Sequence, residues 1–375
     1  RDVAPSRGLG DVYKRQVPTT GNMKGIETSA VLGAVGGNPD KKLEVLTDVS
    51  PKDLELTWEL LRKKICSVSL LEGVSNLQII VEMTAGQESA LVEIAFSHTN
   101  IVRIEHNGTV VMKKGMSAQN ATETDRSLLN LHDIYDFANT VDIAEVGGLM
   151  EDQVRCNMAI AREGLSNKYG ANVGSTILEH YGRDARTMAR ALPAAGSDAR
   201  MNGCVLPVMI NSGSGNQGIC ATNPVVVYAL ENENTEEEMI RALMLSHLTA
   251  IYIKQSLGKL SALCGCVVAS TGSSCGITYL MGGDYTRICN SVKNMIANLT
   301  GMICDGAKPS CALKISSGVS TALLSALLSM EGKCVTSAEG IVDDDVDKCI
   351  HNLTSIGADA MRATDDMVLD IMTHK

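Results

Sequence analysis

Apolar side chains change their spacing along this chain, and the change divides it in two. Leu77, Ile79, Val81 and Met83 alternate with other residues, as do Val92, Ile94 and Phe96. A period of two is that of a half-buried strand, and Ala85-Gly86-Gln87 separates the two runs as a turn. Val102 and Ile104 connect to Val110 and Met112 through His106-Asn107-Gly108, and Asn-Gly suits a tight hairpin turn. Upstream, Val17 to Asp40 is rich in Gly, Ala and Thr and reads as a loop leading into a short helix. Ser50-Pro51-Lys52-Asp53 opens a further helix that runs through Trp58 and Leu61 toward Lys64. It places Ser at the N-cap, Pro in the first turn and an acid facing the helix dipole.

Gly115 to Asp125 is polar and reads as a linker, after which the strand pattern stops. Helical spacing follows at about 127–140, 150–166, 174–191, 235–257, 259–281, 285–303, 315–331 and 342–372. The fourth of these begins with a capping box, Thr235 three residues before Glu238. Two glycine-bearing segments interrupt the pattern: Asn211 to Gly218, and Cys304 to Cys311. The expected fold class is α+β. An N-terminal α+β domain with an antiparallel sheet spans 17–122, and a mainly α-helical domain spans 123–375.

Composition narrows the function. Hydrophobic residues make up 45% and charged residues 20%, enough apolar side chains for a packed core. The net charge of −10 argues against nucleic acid or an anionic membrane as partner, because both need a basic surface. Aromatics at 3% are too few for base-stacking platforms. Met201 to Leu230 and Leu260 to Gly283 are nearly free of charge, but Ser, Gly, Asn and Thr interrupt them, so buried helices and a site loop fit better than membrane spans. Eleven of the twelve cysteines lie from Cys156 onward, unlike a disulfide framework, and no apolar signal segment precedes them. Reduced thiols in a cytoplasmic protein are expected.

The first sixteen residues are set apart. Ser6 to Gln16 reads as the in-frame translation of a sequencing adapter, so residues 1–16 are expected to be an artefact and are excluded from fold reasoning.

Three features carry candidate chemistry. Six cysteines fall between Cys264 and Cys311, and the turn from Cys304 to Cys311, with Gly306 and Pro309, can return two thiolates to one metal centre. Small buried cysteines that merely pack helices are the alternative. The segment Asn211 to Gly218 has glycines at 213, 215 and 218 and polar side chains at Ser212, Ser214, Asn216 and Gln217. It suits a carboxylate or phosphate cradle, and also an ordinary inter-helix turn, but lacks the Gly-Lys-Ser/Thr end of a P-loop. His98-Thr99-Asn100 follows a strand, where site residues often sit. Lys254, Lys259 and Lys308 lie near apolar regions without a signature for pyridoxal phosphate.

Ser212-Gly213-Ser214-Gly215-Asn216-Gln217-Gly218, Leu260-Ser261-Ala262-Leu263-Cys264-Gly265-Cys266 and Cys304-Asp305-Gly306-Ala307-Lys308-Pro309-Ser310-Cys311, in that order, resemble the L-cysteine desulfidase family. That family is related to the α-chain of iron–sulfur L-serine dehydratases. His98-Thr99-Asn100-Ile101-Val102 and Gly33-Ala34-Val35-Gly36-Gly37 fit the same pattern, and the resemblance covers Val17 to about Thr373. It implies a four-iron four-sulfur cluster held by Cys264, Cys304 and Cys311, with Cys266 the rival for the first place. It further implies α,β-elimination of L-cysteine to pyruvate, ammonia and sulfide, with L-serine as alternative substrate. Substrate contacts are expected from Ser212, Ser214, Gly215, Asn216, Gln217, His98, Asn100 and Lys308, and a homodimer is the candidate assembly. A non-catalytic metal or redox sensor is the competing class; the Ser/Gly/Asn loop speaks against it. Family members carry a Gly-Cys-Thr-Glu-Pro stretch ahead of the point matching Val17, whose cysteine is thought to act as base. This sequence has no cysteine before Cys66, so a chain truncated at its 5′ side and impaired in activity is expected.

Overall fold

The computed structural model describes residues 17, 20–21, 23–69, 71, 78–96, 100–115, 128–257 and 261–373. They fall into two compact units: the described residues of Arg1–Thr124, Asp305–Lys308 and Asp365–Lys375, and those of Asp125–Cys304 and Pro309–Thr364.

In the first unit, helix α1 (Ile26–Gly36) and a 3-10 turn (Pro39–Glu44) lead to α2 (Pro51–Arg62). The expected cap is present and reciprocal. Ser50 Oγ accepts from Asp53 N at 3.3 Å, and the Asp53 carboxylate accepts from Ser50 N at 2.9 Å. Strands β1 (Gln78–Ala85), β2 (Glu88–Ala95), β3 (Ile101–His106) and β4 (Thr109–Lys113) form an antiparallel meander in sequence order. The β3–β4 turn is Asn107-Gly108, with φ of +50° and +74°. Both central residues are left-handed, as a two-residue hairpin of this twist requires. Leu77 lies outside the described residues.

The second unit is helical: α3 (Leu131–Thr140), α4 (Ile143–Ser166), α5 (Val173–Tyr181), α6 (Ala185–Met201), α7 (Gly215–Glu231), α8 (Glu236–Leu257), α9 (Gly265–Leu280), α10 (Tyr285–Leu299), α11 (Cys311–Met330) and α12 (Val346–Ser355), with a π-turn (Ile356–Ala360) after it. A last helix, Arg362–Thr373, follows. The architecture is therefore α+β, as expected.

Several boundaries differ from the sequence pattern: the helix expected from 150 begins at Ile143, and the one expected over 259–281 begins at Gly265, because Leu263 pairs with Ile303 instead. The segment expected as one helix over 174–191 is two, because Gly182 takes φ +86° and Asp184 caps a new helix by accepting from Thr187 N at 2.7 Å. The segment expected over 342–372 is broken by the π-turn. Helix α7 begins inside the segment read as a loop and carries Pro224 in its interior.

Helix α9 sits at the centre, packed against α7, α8, α10 and α11. Every residue from Cys266 to Thr278 is buried. A helix buried all round needs close neighbours on every side, and small residues allow this. A Cβ at Gly276 would lie 2.8 Å from the Ala242 carbonyl and 2.9 Å from Val225 Cγ2. The buried hydroxyls bond back along the helix: Ser270 to Cys266 O at 2.6 Å, Thr271 to Val267 O at 2.9 Å and Thr278 to Ser274 O at 2.8 Å. These three are thereby satisfied within the helix, whereas Ser274 bonds across to Ser291 on α10 and to Ala322 O on α11. The two uncharged stretches noted above thus end up as the last turn of α6 with α7, and as α9. Among the described residues, only α11 is long and apolar enough to cross a membrane, and its buried side packs against α6, α9 and α10.

Candidate active site

Residues 262–264 and 302–304 pair as a short antiparallel ladder. Cys264 N donates to Met302 O at 2.9 Å, and Cys304 N donates to Ala262 O at 2.6 Å. Ser261 Oγ accepts from Leu263 N at 3.1 Å and donates to Gly357 O at 3.3 Å, so the π-turn anchors this ladder. Lys314, in the first turn of α11, donates to Ile303 O at 2.7 Å and ties Cys311's helix to the same strand. The consequence is a thiol cluster. Cys264 stands close enough to Cys266 and Cys304 for their thiols to influence one another, and Cys266 lies within electrostatic reach of Cys220, Cys304 and Cys311.

Burial and neighbouring thiols favour the protonated forms of Cys220, Cys264 and Cys266. Cys264 is pushed well above the ordinary thiol range, first by its neighbour Cys266. Cys266 is drawn down by its bond to Cys264 but ends raised, through burial and the surrounding thiols. Burial pushes Cys220 up to about 12, and its sulfur lies 3.3 Å from Ser270 Oγ. None of the twelve cysteines is in a disulfide.

Cys264 is the N-cap of α9 and Cys311 the first residue of α11, and neither helix start has a side-chain cap. Uncapped N–H groups and the positive end of the dipole favour negative charge on a thiolate placed there. An all-sulfur donor set of this kind suits iron–sulfur rather than a hard cation. Among the described residues, no three His, Cys, Asp or Glu side chains gather as ligands of a single ion. A cuboidal cluster, by contrast, takes one thiolate at each of several irons.

The polar loop stands beside these thiols. Asn211 and Ser214 exchange backbone bonds at 3.1 and 3.0 Å across Ser212-Gly213, whose φ values are +48° and +81°. This tight turn delivers Ser214 as the N-cap of α7, its Oγ accepting from Gln217 N at 3.4 Å. Gly215, Asn216 and Gln217 are therefore the first turn of a helix, not a free loop. The Gln217 amide lies over Gly265, where a Cβ would stand 2.8 Å from its Cδ. The first turns of α7 and α9 thus meet at the residue between Cys264 and Cys266. Four of the five substrate contacts expected from this segment, Ser214, Gly215, Asn216 and Gln217, lie in or cap that turn, and Ser212 is in the hairpin that precedes it.

Asn100 and Lys308, two further expected contacts, belong to the first unit. The Asn100 amide donates to the carbonyl of Ala95, the last residue of β2, at 2.9 Å. The Lys308 ammonium is engaged by Asp305 and Gly306 carbonyls at 2.7 and 3.2 Å and by the Asp305 carboxylate. His98 lies outside the described residues.

Sequence reasoning missed the polar network beneath the turn. Asn211 Nδ2 donates to His247 Nδ1 at 3.0 Å, and His247 Nε2 lies 3.1 Å from Thr222 Oγ1. Thr222 Oγ1 also donates to Gly218 O at 2.7 Å. Asn157 joins from α4: its Nδ2 donates to Thr222 Oγ1 at 3.1 Å and its Oδ1 accepts from Met209 N at 3.0 Å. Burial pulls the His247 pKa down to about 4. A second omission is Arg200, whose Nη1 donates to Asn216 Oδ1 at 3.2 Å. The available signal was a polar residue on an otherwise apolar helical face, as with His247 after Leu243, Met244 and Leu245.

A family model described as serine dehydratase alpha chain matches residues 40–370. Among similar proteins, a UPF0597 protein of Bacteroides thetaiotaomicron is 53% identical over 366 residues, covering 96% of this chain and 85% of that one. A UPF0597 protein of Lachnoclostridium phytofermentans is 47% identical over 358 residues, with 96% and 86% covered. A UPF0597 protein of Treponema denticola is 41% identical over 363 residues, with 95% and 84% covered.

Proposed function

Because the chain belongs to the serine dehydratase alpha-chain family, a family of lyase-type enzymes, we propose that it is the iron–sulfur-dependent lyase that eliminates sulfide from L-cysteine, with L-serine as the alternative substrate. The observation that supports the reading is the closeness of Gln217 to Gly265, which brings the start of α7 to a largely buried group of thiols. Cys264, Cys304 and Cys311 would hold a four-iron four-sulfur cluster. When bound, such a cluster supplies an open Lewis-acid position for the β-leaving group.

The chain's own residues do the rest by binding and orientation. The first turn of α7 offers backbone N–H groups and Ser214, a cradle for the substrate carboxylate. Burial of the thiols and of α9 keeps water from the leaving-group side, which strengthens each polar contact there. Elimination breaks the Cα–H and Cβ–S bonds, the proton and the sulfur departing as hydrogen sulfide, and leaves aminoacrylate, which takes up water to give pyruvate and ammonia. A metal or redox sensor would have no use for the carboxylate cradle, so the lyase is the better reading. A cytoplasmic location and a homodimer are compatible with it.

The test is to purify the protein without oxygen, count iron and assay sulfide and pyruvate from L-cysteine and pyruvate from L-serine. Sulfide release with about four irons per chain supports the proposal. Neither iron nor product from either amino acid refutes it.

A further inference from the structure

We infer that Arg200 is the fixed cation that selects the free α-carboxylate of the substrate, with Asn216 as its companion donor and Gln217 receiving the α-ammonium. The inference rests on the amino-acid lyase reading above. Arg200 lies in the last turn of α6, half-buried, and its guanidinium packs across Gly215, where a Cβ would fall 2.9 Å from Cζ. Its Nη1 donates to Asn216 Oδ1 at 3.2 Å.

A guanidinium has no acceptor, so this bond fixes the amide: Oδ1 faces Arg200 and Nδ2 points elsewhere. That Nδ2 belongs to a residue only 4% exposed, and it is buried without a partner in the protein. One residue on, Gln217 is 5% exposed, and its Oε1 is also buried without a partner. Native proteins rarely leave such groups unmet, and a ligand is the economical account of a buried donor and acceptor at one helix start.

The two orphans differ in sense and in direction. Consecutive residues leave a helix about 100° apart, and here Asn216 faces Arg200 on α6 while Gln217 faces Gly265 on α9. A ligand that satisfies both needs an anionic acceptor at the Arg200 end and an N–H donor at the Gln217 end. A zwitterionic α-amino acid has this pattern. Its carboxylate meets Arg200, Asn216 Nδ2 and the N–H groups that open α7; its ammonium meets Gln217 Oε1. The β-substituent is then directed toward Cys264 and Cys266. A simple anion without a donor, such as sulfate, would leave Gln217 unmet.

The experiment is calorimetric titration of the anaerobically purified chain with L-alanine, which has no leaving group, and with its methyl ester and N-acetyl derivative. Both derivatives should bind at least about tenfold more weakly than L-alanine, since each removes one charged hydrogen-bonding group. Arg200→Met should weaken L-alanine by roughly 10- to 100-fold, and Arg200→Lys should recover part of this, keeping the charge but losing the fork. KM for L-cysteine should rise far more than kcat falls, with iron content unchanged. L-alanine bound by Arg200→Met as tightly as by the wild type, or the ester bound as tightly as the free acid, overturns the inference. If the wild type eliminates sulfide but Arg200→Met leaves KM unchanged, the inference fails and the lyase stands. If L-alanine binds through Arg200 and no product forms from either amino acid, the lyase reading fails and the zwitterion site stands.

Discussion

The amide nitrogen of Asn211 lies 3.0 Å from His247 Nδ1 and 3.1 Å from the carbonyl oxygen of the same residue. The carbonyl contact fixes this atom as the donor, so Nδ1 is the acceptor and the imidazole proton sits on Nε2, facing Thr222 Oγ1. A neutral histidine thereby supports, from beneath, the turn that presents Ser212 and starts α7. Protonation at Nδ1 would remove the acceptor that Asn211 uses and would place a charge in a fully buried site.

This gives the first prediction. His247 has a folded pKa of about 4 against an ordinary value of 6.5. A depressed histidine pKa means that the fold favours the neutral form. Its contribution is fully present above about pH 6.5 and is lost as pH falls toward 4. The loss amounts to an order of 3 kcal/mol at about 1.36 kcal/mol per unit. Denaturant unfolding between pH 7 and pH 4.5 should show stability falling more steeply in the wild type than in His247→Gln, which cannot titrate. Equal slopes in the two proteins would exclude the buried neutral imidazole.

The second prediction concerns Gly265. Alanine there would press its methyl group onto the Gln217 amide, at 2.8 Å from Cδ and 2.9 Å from Nε2. The end of a flexible side chain can move, so the fold should survive with little change in thermal midpoint. The cost should fall on substrate: Gly265→Ala should weaken amino-acid binding about fivefold, the worth of one ordinary hydrogen bond. Unchanged affinity for L-alanine would show that Gln217 does not need its present position.

Much of this was legible in the sequence, and what was not has physical causes. The meander could be read because alternation and Asn-Gly are local signals, and the caps at Ser50 and Thr235 because a capping box spans four residues. Helix α7 could not be, because Gly215, Gly218 and Pro224 all lower helix propensity, whereas tertiary contact rewards them. The proximity of Gln217 to Gly265 and of Asn157 to Thr222 joins residues some 50 to 65 positions apart. No period or propensity encodes such pairs. Arg200 escaped notice for the same reason: nothing around it in the chain distinguishes it from a solvated arginine.

The third prediction is thermodynamic. Gly218 passes so close to the Met209 carbonyl that a Cβ would overlap it. Met209 cannot retreat freely, since its N–H donates to Asn157 Oδ1 at 3.0 Å and its carbonyl accepts from Asn157 Nδ2 at 3.2 Å. Overpacking against held backbone is among the costlier substitutions, so Gly218→Ala should lose about 2 kcal/mol or more of unfolding free energy. Urea denaturation measures it, and a loss within about 0.5 kcal/mol, the usual range of harmless surface changes, would mean that the Met209 segment yields.

The fourth prediction separates the thiols. Cys264 and Cys304 stand on paired backbone, and Cys311 opens a helix tied to that strand by Lys314. Cys266 is the second residue of α9, and the Cys220 sulfur is engaged by Ser270 Oγ at 3.3 Å. Serine is close to cysteine in size but is a hard, poorly ionised ligand, so it should cost metal and little packing. After anaerobic reconstitution, Cys264→Ser, Cys304→Ser and Cys311→Ser should each retain less than about a tenth of the wild-type iron and acid-labile sulfide, because a cluster with a missing thiolate is no longer held. Cys266→Ser and Cys220→Ser should retain most of both. Iron lost from Cys266→Ser but kept by Cys264→Ser would transfer the first ligand position to Cys266. Full retention in all five would leave the cluster of thiols as packing around α9.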